Sequence, residues 1–360
     1  MHIGGWNEAL MTIIGRRNAS LAGLLLALVL VVSPTAAEDI GTVRGITLST
    51  HRGGRELGDP EVLRPSYEAI RTTGANWVAV HPYARIRKDG TVSFRLPDGK
   101  PPSYWTEPIR VAHEKGLRVC IKPHLAHWRS GFSWRGEIRF ETEEEWDRFW
   151  EGYTAWILAM AEACKDADLF VVGTELDKTT HHAGQWRKLI REVRKRTHAT
   201  LTFASNWDSF EAVPFWDALD LVGIQSYFPI SRDADPSEQA LQKGWRELAE
   251  RLAEYSENVG RKVVLTELGY NRSKKAASEP WTYAVDAEME PLQMRCMTVA
   301  LKAIEQESAI VGSFLWKRFP EPRPVGRNFQ LATEGMRRAI RQVWIANKAS
   351  GSATDELPGD

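Results

Sequence analysis

The sequence predicts a single-domain α/β protein, a (β/α)8 or TIM barrel. Two observations carry that prediction. Eight short runs rich in β-branched and other apolar residues recur along the 360-residue chain, and amphipathic segments of helical period separate nearly all of them. Two of those runs also end on a glutamate, at 169–175 (LFVVGTE) and 262–267 (KVVLTE). Runs this apolar suit strands buried on both faces, as a parallel sheet requires. A carboxylate at the end of such a strand is costly to desolvate, so its presence points to a use at the barrel rim.

Taken in order, the first strand is expected at 43–50 (VRGITLST), followed by a helix at about 60–73. The second strand, 77–84 (WVAVHPYA), leads to a helix at 103–115, and the third, 118–125 (RVCIKPHL), to one at 143–164. That third helix places Trp146, Phe149, Trp150, Tyr153, Ile157 and Met160 at helical spacing, so Trp146, Trp150 and Trp156 belong to the core. Strand four at 169–175 precedes a helix at 183–197, and strand five is 200–206 (TLTFASN). Only about a dozen residues then lead to strand six at 219–227 (LDLVGIQSY), too few for a full helix. Helix 236–259, strand seven at 262–268, helix 287–307, strand eight at 310–316 (IVGSFLW) and helix 333–346 complete the pattern. An open doubly wound sheet is the rival architecture. It calls for a Gly-rich phosphate turn after the first strand, and 49–54 (STHRGG) is a poor match.

The flanks and composition narrow the function classes. Arg16 and Arg17 precede an apolar run from Leu21 to Val32, and Thr35 and Ala37 fit cleavage before Glu38. Residues 1–37 are therefore expected to be a signal peptide, with Met11 as a possible start, and the chain to be secreted or periplasmic. The 12-residue run is short for a membrane span, which needs about 20. An uncleaved anchor is the rival reading. The catalytic domain is expected over 38–348, and the small, polar 349–360 tail to lack structure. The 47 basic and 47 acidic side chains cancel, which gives no support for a nucleic acid or an anionic membrane as partner. Cys120, Cys164 and Cys296 show no metal spacing and are expected as buried free thiols in a monomer.

In a barrel, the C-terminal strand ends line one rim, where active sites sit. Those ends carry His51, His81 with Arg85, then His124, His127 and Trp128, and then Glu175 and Asp177. Asn206 and Trp207, Gln225 and Tyr227, Glu267 and Tyr270, and Trp316 follow. Strands four and seven face each other across the ring, so Glu175 and Glu267 are expected to converge. A pair of carboxylates about 5–5.5 Å apart is the machinery of a retaining glycosidase. We assign Glu175 as general acid/base and Glu267 as nucleophile. Mutual repulsion is expected to hold one of them protonated near neutral pH. The blander reading is that each glutamate simply pairs with Arg85, Lys122 or His124.

The motifs GTEL at 173–176, LTELGY at 265–270 and GSFLW at 312–316 resemble those of glycoside hydrolase family 113. The resemblance spans about residues 43–346. It implies a retaining (β/α)8 glycosidase, chiefly an endo-β-1,4-mannanase acting on mannan or glucomannan, with a polysaccharide or oligosaccharide as partner and no cofactor. It further implies that Tyr227 hydrogen-bonds the nucleophile and that Trp316 forms the aromatic floor under the sugar. Thr174 departs from the asparagine that precedes the acid/base in many members of the wider clan, which leaves the sugar 2-OH contact unassigned.

Tryptophan offers a flat apolar face to sugar rings, so Trp128, Trp134, Trp207, Trp281 and Trp316 are candidate platforms. His81, His124 and Asn206 are candidate hydroxyl contacts. The rim histidines raise a metal-dependent hydrolase as a rival, although no H-x-H at strand one or aspartate ending strand eight supports it. Two further rivals are a non-catalytic exported glycan-binding barrel and a β-glycosidase acting on a bacterial exopolysaccharide. Asn271-Arg-Ser273 matches a glycosylation acceptor.

Overall fold

The computed structural model describes residues 40–50, 54–321 and 331–351, with side chains through 345. The expected signal segment 1–37, His51 and the tail beyond 351 lie outside the described residues. Eight parallel strands close into a barrel: β1 (Val43–Leu48), β2 (Trp77–Val80), β5 (Arg118–Ile121), β7 (Leu169–Thr174), β8 (Thr200–Asn206), β9 (Leu221–Ser226), β10 (Val263–Leu268) and β11 (Ile310–Arg318). Three further short strands, β3 (Tyr83–Ile86), β4 (Val92–Ser93) and β6 (His124–Ala126), form a small separate sheet.

That second sheet corrects two strand boundaries. The expected runs 77–84 and 118–125 each break after four residues, at His81-Pro82 and Lys122-Pro123. Proline lacks the N–H that a continuing ladder needs, so the barrel strand stops there. The chain then re-pairs outside the barrel, Tyr83 beside His124. Arg85, expected at the rim, is carried onto this outer sheet and is exposed.

Helices α1 (Pro60–Arg71), α2 (Ser103–Glu114), α3 (Glu143–Ala163), α4 (Ala183–Arg194), α5 (Glu238–Val259), α6 (Glu290–Gln306) and α7 (Glu334–Gly351) surround the barrel. Their starts follow local chemistry. Asp59 caps α1 ahead of Pro60, and Thr142 with Glu145 forms a capping box for α3. The β8–β9 connection holds two short 3-10 turns and no α-helix, as its length requires. Helix α7 continues to Gly351, past the expected end at 346.

The core has two shells. Inside the barrel, Val43, Trp77, Ala79, Leu169, Val171, Leu221, Val264 and Phe314 fill the axis. Gly45 makes room there, because a Cβ at that position would stand 2.2 Å from the Phe314 ring. The larger shell lies between strands and helices and holds Trp146, Trp150 and Trp156, as their spacing predicts. Cys120, Cys164 and Cys296 are buried free thiols. Asn271 is fully buried, its amide donating to Glu279 O and Thr282 Oγ1, so the folded chain offers no acceptor at that sequon. Among the described residues no helix is long and apolar enough to cross a membrane.

Candidate active site

Both glutamates stand where a strand loses its regular register. The β7–β8 pairing shifts between Val171 and Thr174, and the β10–β9 pairing shifts between Leu265 and Glu267. Such irregularities re-aim a side chain at a strand end. Glu175 then adopts φ +53°, the left-handed region that costs a non-glycine residue about 1 kcal/mol or more. Its backbone N–H still donates to Ala204 O over 2.8 Å, which pins that conformation to β8.

Glu267 is the deeper of the two, 3% exposed. Its Oε2 accepts from Tyr227 O–H at 2.6 Å, and its Oε1 accepts from Lys122 Nζ. Burial and the neighbouring Glu267 charge push the Tyr227 hydroxyl well above its usual range, so it stays a neutral donor. Burial pulls the Lys122 ammonium below its ordinary value, and Glu267 opposes that pull. Glu175 lies nearer the surface. Arg135 Nη2 donates to its Oε2 at 2.5 Å and Gln225 Nε2 to its Oε1 at 3.3 Å. Gln225 Oε1 in turn accepts from Thr266 Oγ1 at 2.9 Å and from Lys122 Nζ at 3.4 Å. A continuous chain, Glu267–Lys122–Gln225–Glu175, therefore joins the carboxylates.

The upward shift expected from carboxylate repulsion is not what Glu175 shows in the unliganded protein. Burial pushes the Glu175 carboxyl up, but Arg135 and then Lys122 outweigh it and hold the group below its ordinary value. Asp177 shifts the other way. Burial raises its carboxyl to about 6, with Asn206 Nδ2 donating to its Oδ2 at 2.9 Å.

The floor is aromatic and imidazole. His81 stacks on His124 with ring centroids 5.0 Å apart, and Trp316 lies 5.3 Å from His81 and 6.1 Å from His124. The Trp316–Lys317 peptide is cis. Burial, with Lys317, Lys122 and Arg135 nearby, drives both imidazoles well below their ordinary value, so they are neutral. His124 Nε2 stands 4.0 Å from Glu267 Oε1, and neither it nor the His81 nitrogens has a hydrogen-bond partner among the described residues. Among the described residues no three His, Cys, Asp or Glu side chains are grouped to hold a metal ion.

Of the four remaining predicted platforms, Trp134, 38% exposed, sits just ahead of the 3-10 turn Arg135–Glu137, and the other three fall into two groups. Trp207 and Trp281 stack on each other at 5.3 Å, with Trp281 41% exposed. Trp128, 63% exposed, leans on Tyr83 at 5.3 Å. Tyr270 does not reach the rim; its hydroxyl accepts from Trp245 Nε1 of α5. His182, just ahead of α4, packs its ring 4.1 Å from that of Trp146.

Two cations in the site carried little sequence signal. Lys122 directly follows the third barrel strand, where its sequence context marks no more than a generic partner for a glutamate. Arg135 sits in a 3-10 turn (Arg135–Glu137) forty residues before its partner, where no periodicity or motif marks it.

The model of Glycoside Hydrolase Family 113 matches residues 59–322. Among solved structures, the chain superposes on the family 113 β-mannanase AaManA from Alicyclobacillus acidocaldarius, in complex with ManMIm, with TM-score 0.73 and 25% identity. That match covers 86% of this chain and 99% of the other. A second family 113 β-1,4-mannanase matches with TM-score 0.71 at 22% identity, covering 85% and 99%. The Ruminococcus gnavus β-glucuronidase shares the fold alone, with TM-score 0.57 at 12% identity over 84% of this chain and 50% of that one. A comparison with curated proteins finds no match. With a barrel of this topology, two glutamates at its rim and a family match over most of its length, the chain belongs to glycoside hydrolase family 113 and is a glycoside hydrolase.

Proposed function

We propose that the protein is a retaining endo-β-1,4-mannanase that cleaves mannan or glucomannan by double displacement. The observation that carries this reading is the unequal setting of the two carboxylates. Glu267 is buried and held by donors on both oxygens, Lys122 and Tyr227, which suits a nucleophile that must stay ionised and fixed. Glu175 stands nearer solvent, its Oε2 held by a side chain from a loop, which suits a group that must meet both leaving sugar and water.

In the first step a Glu267 oxygen attacks the anomeric carbon. The glycosidic C–O bond breaks and the leaving oxygen takes the Glu175 proton. In the second, water attacks the anomeric carbon and gives its proton to Glu175, and the ester bond to Glu267 breaks. Trp316 is the floor beneath the sugar at the cleavage point. The neutral His81 and His124, with ring nitrogens that have no partner among the described residues, are hydroxyl contacts, and Asn206, which donates to Asp177 Oδ2, is a further one. Trp128 and the Trp207–Trp281 pair are platforms for further units. The 25% identity to AaManA supports mannan as the polymer. The charge and small-residue pattern of residues 1–37 supports export.

The test is product release from β-mannan, glucomannan, β-glucan and xylan beside the Glu267→Ala protein. Release from mannan or glucomannan by the unsubstituted enzyme alone supports the reading. Release from another polymer replaces the substrate, and release by both proteins removes Glu267 from the chemistry.

A further inference from the structure

Lys122 has no exposure to water, a state lysine seldom occupies without a specific partner. Its three N–H donors meet Glu267 Oε1, Thr266 O at 3.1 Å and Gln225 Oε1 at 3.4 Å, all from β9 and β10 across the barrel. The ammonium also lies 5.0 Å from the Trp316 ring centroid. Through the Gln225 amide it is one residue removed from Glu175. One buried cation thus touches one glutamate directly and the other through a single side chain.

The charges around Glu175 are not all alike in a double displacement. Arg135 faces it from the 127–142 loop, Asp177 from the turn after β7, and Tyr83, His127 and Tyr227 surround it without charge at neutral pH. Lys122 faces it from the end of β5, and Glu267 from β10. Of these cations, Lys122 is the one whose own counter-charge disappears midway. A glycosyl ester on Glu267 is neutral, and the buried ammonium then has Glu175 as the nearest carboxylate of its network.

We propose that Lys122 is a positioning residue whose charge serves the two glutamates in turn. It pairs with Glu267 while that carboxylate attacks, and once Glu267 is esterified it favours ionised Glu175, which then takes the proton of the incoming water. When the C–O bond to Glu267 breaks, the carboxylate returns and recovers Lys122. The inference rests on the double-displacement reading above.

The experiment uses 2,4-dinitrophenyl β-mannobioside, whose phenolate leaves without a proton, so that the second step limits turnover. Lys122→Met is expected to release one equivalent of dinitrophenolate in a burst and then turn over about tenfold or more slower than the unsubstituted enzyme. The acidic limb of that steady-state rate is expected at higher pH. Added azide, which needs no general base, is expected to restore the steady-state rate. Lys122→Arg, which keeps a cation, is expected to return the limb towards its original position. An even loss of rate at every pH, with no burst and no response to azide, would overturn the proposal. Circular dichroism checks that Lys122→Met is folded; if it is not, Lys122→Arg set against Lys122→Gln makes the same comparison. The anomeric configuration of the first-formed product, read by proton NMR, separates the two failures. Inversion by the unsubstituted enzyme would sink double displacement itself, whereas retention with an unmoved limb would sink the role of Lys122.

Discussion

Arg135 donates to Glu175 over 2.5 Å, and the two residues come from different parts of the chain: Arg135 from a loop turn, Glu175 from the end of a barrel strand. Both side chains are largely shielded, 13% and 16% exposed, so the pair is not a surface ion pair of negligible weight. The contact occupies the oxygen of Glu175 that faces the loop. Under the proposed mechanism Glu175 delivers a proton, and this contact favours its ionised form until something displaces Arg135.

Arg135→Gln tests this. Removing the guanidinium takes away the first of the two charges that outweigh burial, so the Glu175 carboxyl rises from its lowered value. As general acid Glu175 must be protonated, and the basic limb of kcat/KM on mannan is expected to move to higher pH. An unmoved limb in Arg135→Gln would mean that the contact does not govern proton delivery.

Glu267→Ala is expected to abolish turnover on every substrate. Azide is expected to restore part of the activity on an activated aryl glycoside and to give a glycosyl azide of inverted configuration, because the small anion enters the vacated space from the nucleophile's side. The check is product NMR; a loss below about a hundredfold would show that this carboxylate does not attack.

Glu175→Ala is expected to separate substrates by leaving group. Hydrolysis of mannan, whose leaving alkoxide needs a proton, should fall by at least about a hundredfold, while the first step on a dinitrophenyl glycoside should change little. Equal losses on both would place Glu175 elsewhere in the mechanism.

Asp177 gives a pH prediction for stability. Its folded value is raised to about 6 from 3.8, so the stabilisation from its neutral form is complete below the unfolded value and is lost as pH rises through the folded one. Asp177→Asn keeps an acceptor for Asn206 and removes the titration. The variant is expected to gain on the unsubstituted protein between about pH 4 and 7 by on the order of 2–3 kcal/mol. Thermal unfolding at the two pH values checks it, and a gap that does not grow with pH would refute it.

Trp281→Ala is expected to raise KM on mannan by roughly three- to tenfold and leave small aryl glycosides unaffected, since the ring is stacked on Trp207 and presents a face to solvent. Equal effects on both substrate sizes would make the stack a purely structural contact.

The sequence by itself determined the barrel and the two glutamates, because both are written in local pattern. Buried strands such as 169–174 and 263–268 must be apolar throughout, helices such as α3 must repeat their aromatic face every three to four residues, and a glutamate ending an apolar run stands out against it. Tertiary structure alone decided what surrounds those glutamates. Lys122 lies 145 residues from Glu267 and Arg135 40 from Glu175, and nothing in a short window marks a cation for a partner so distant. Pro82 and Pro123 divert two strands into an outer sheet, which removes Arg85 from the rim and leaves the loop after β6 to supply Arg135. The ionisation of Glu175 followed from that exchange: closure of the barrel buries the carboxyl, and the cations it meets there, Arg135 and Lys122, set its charge.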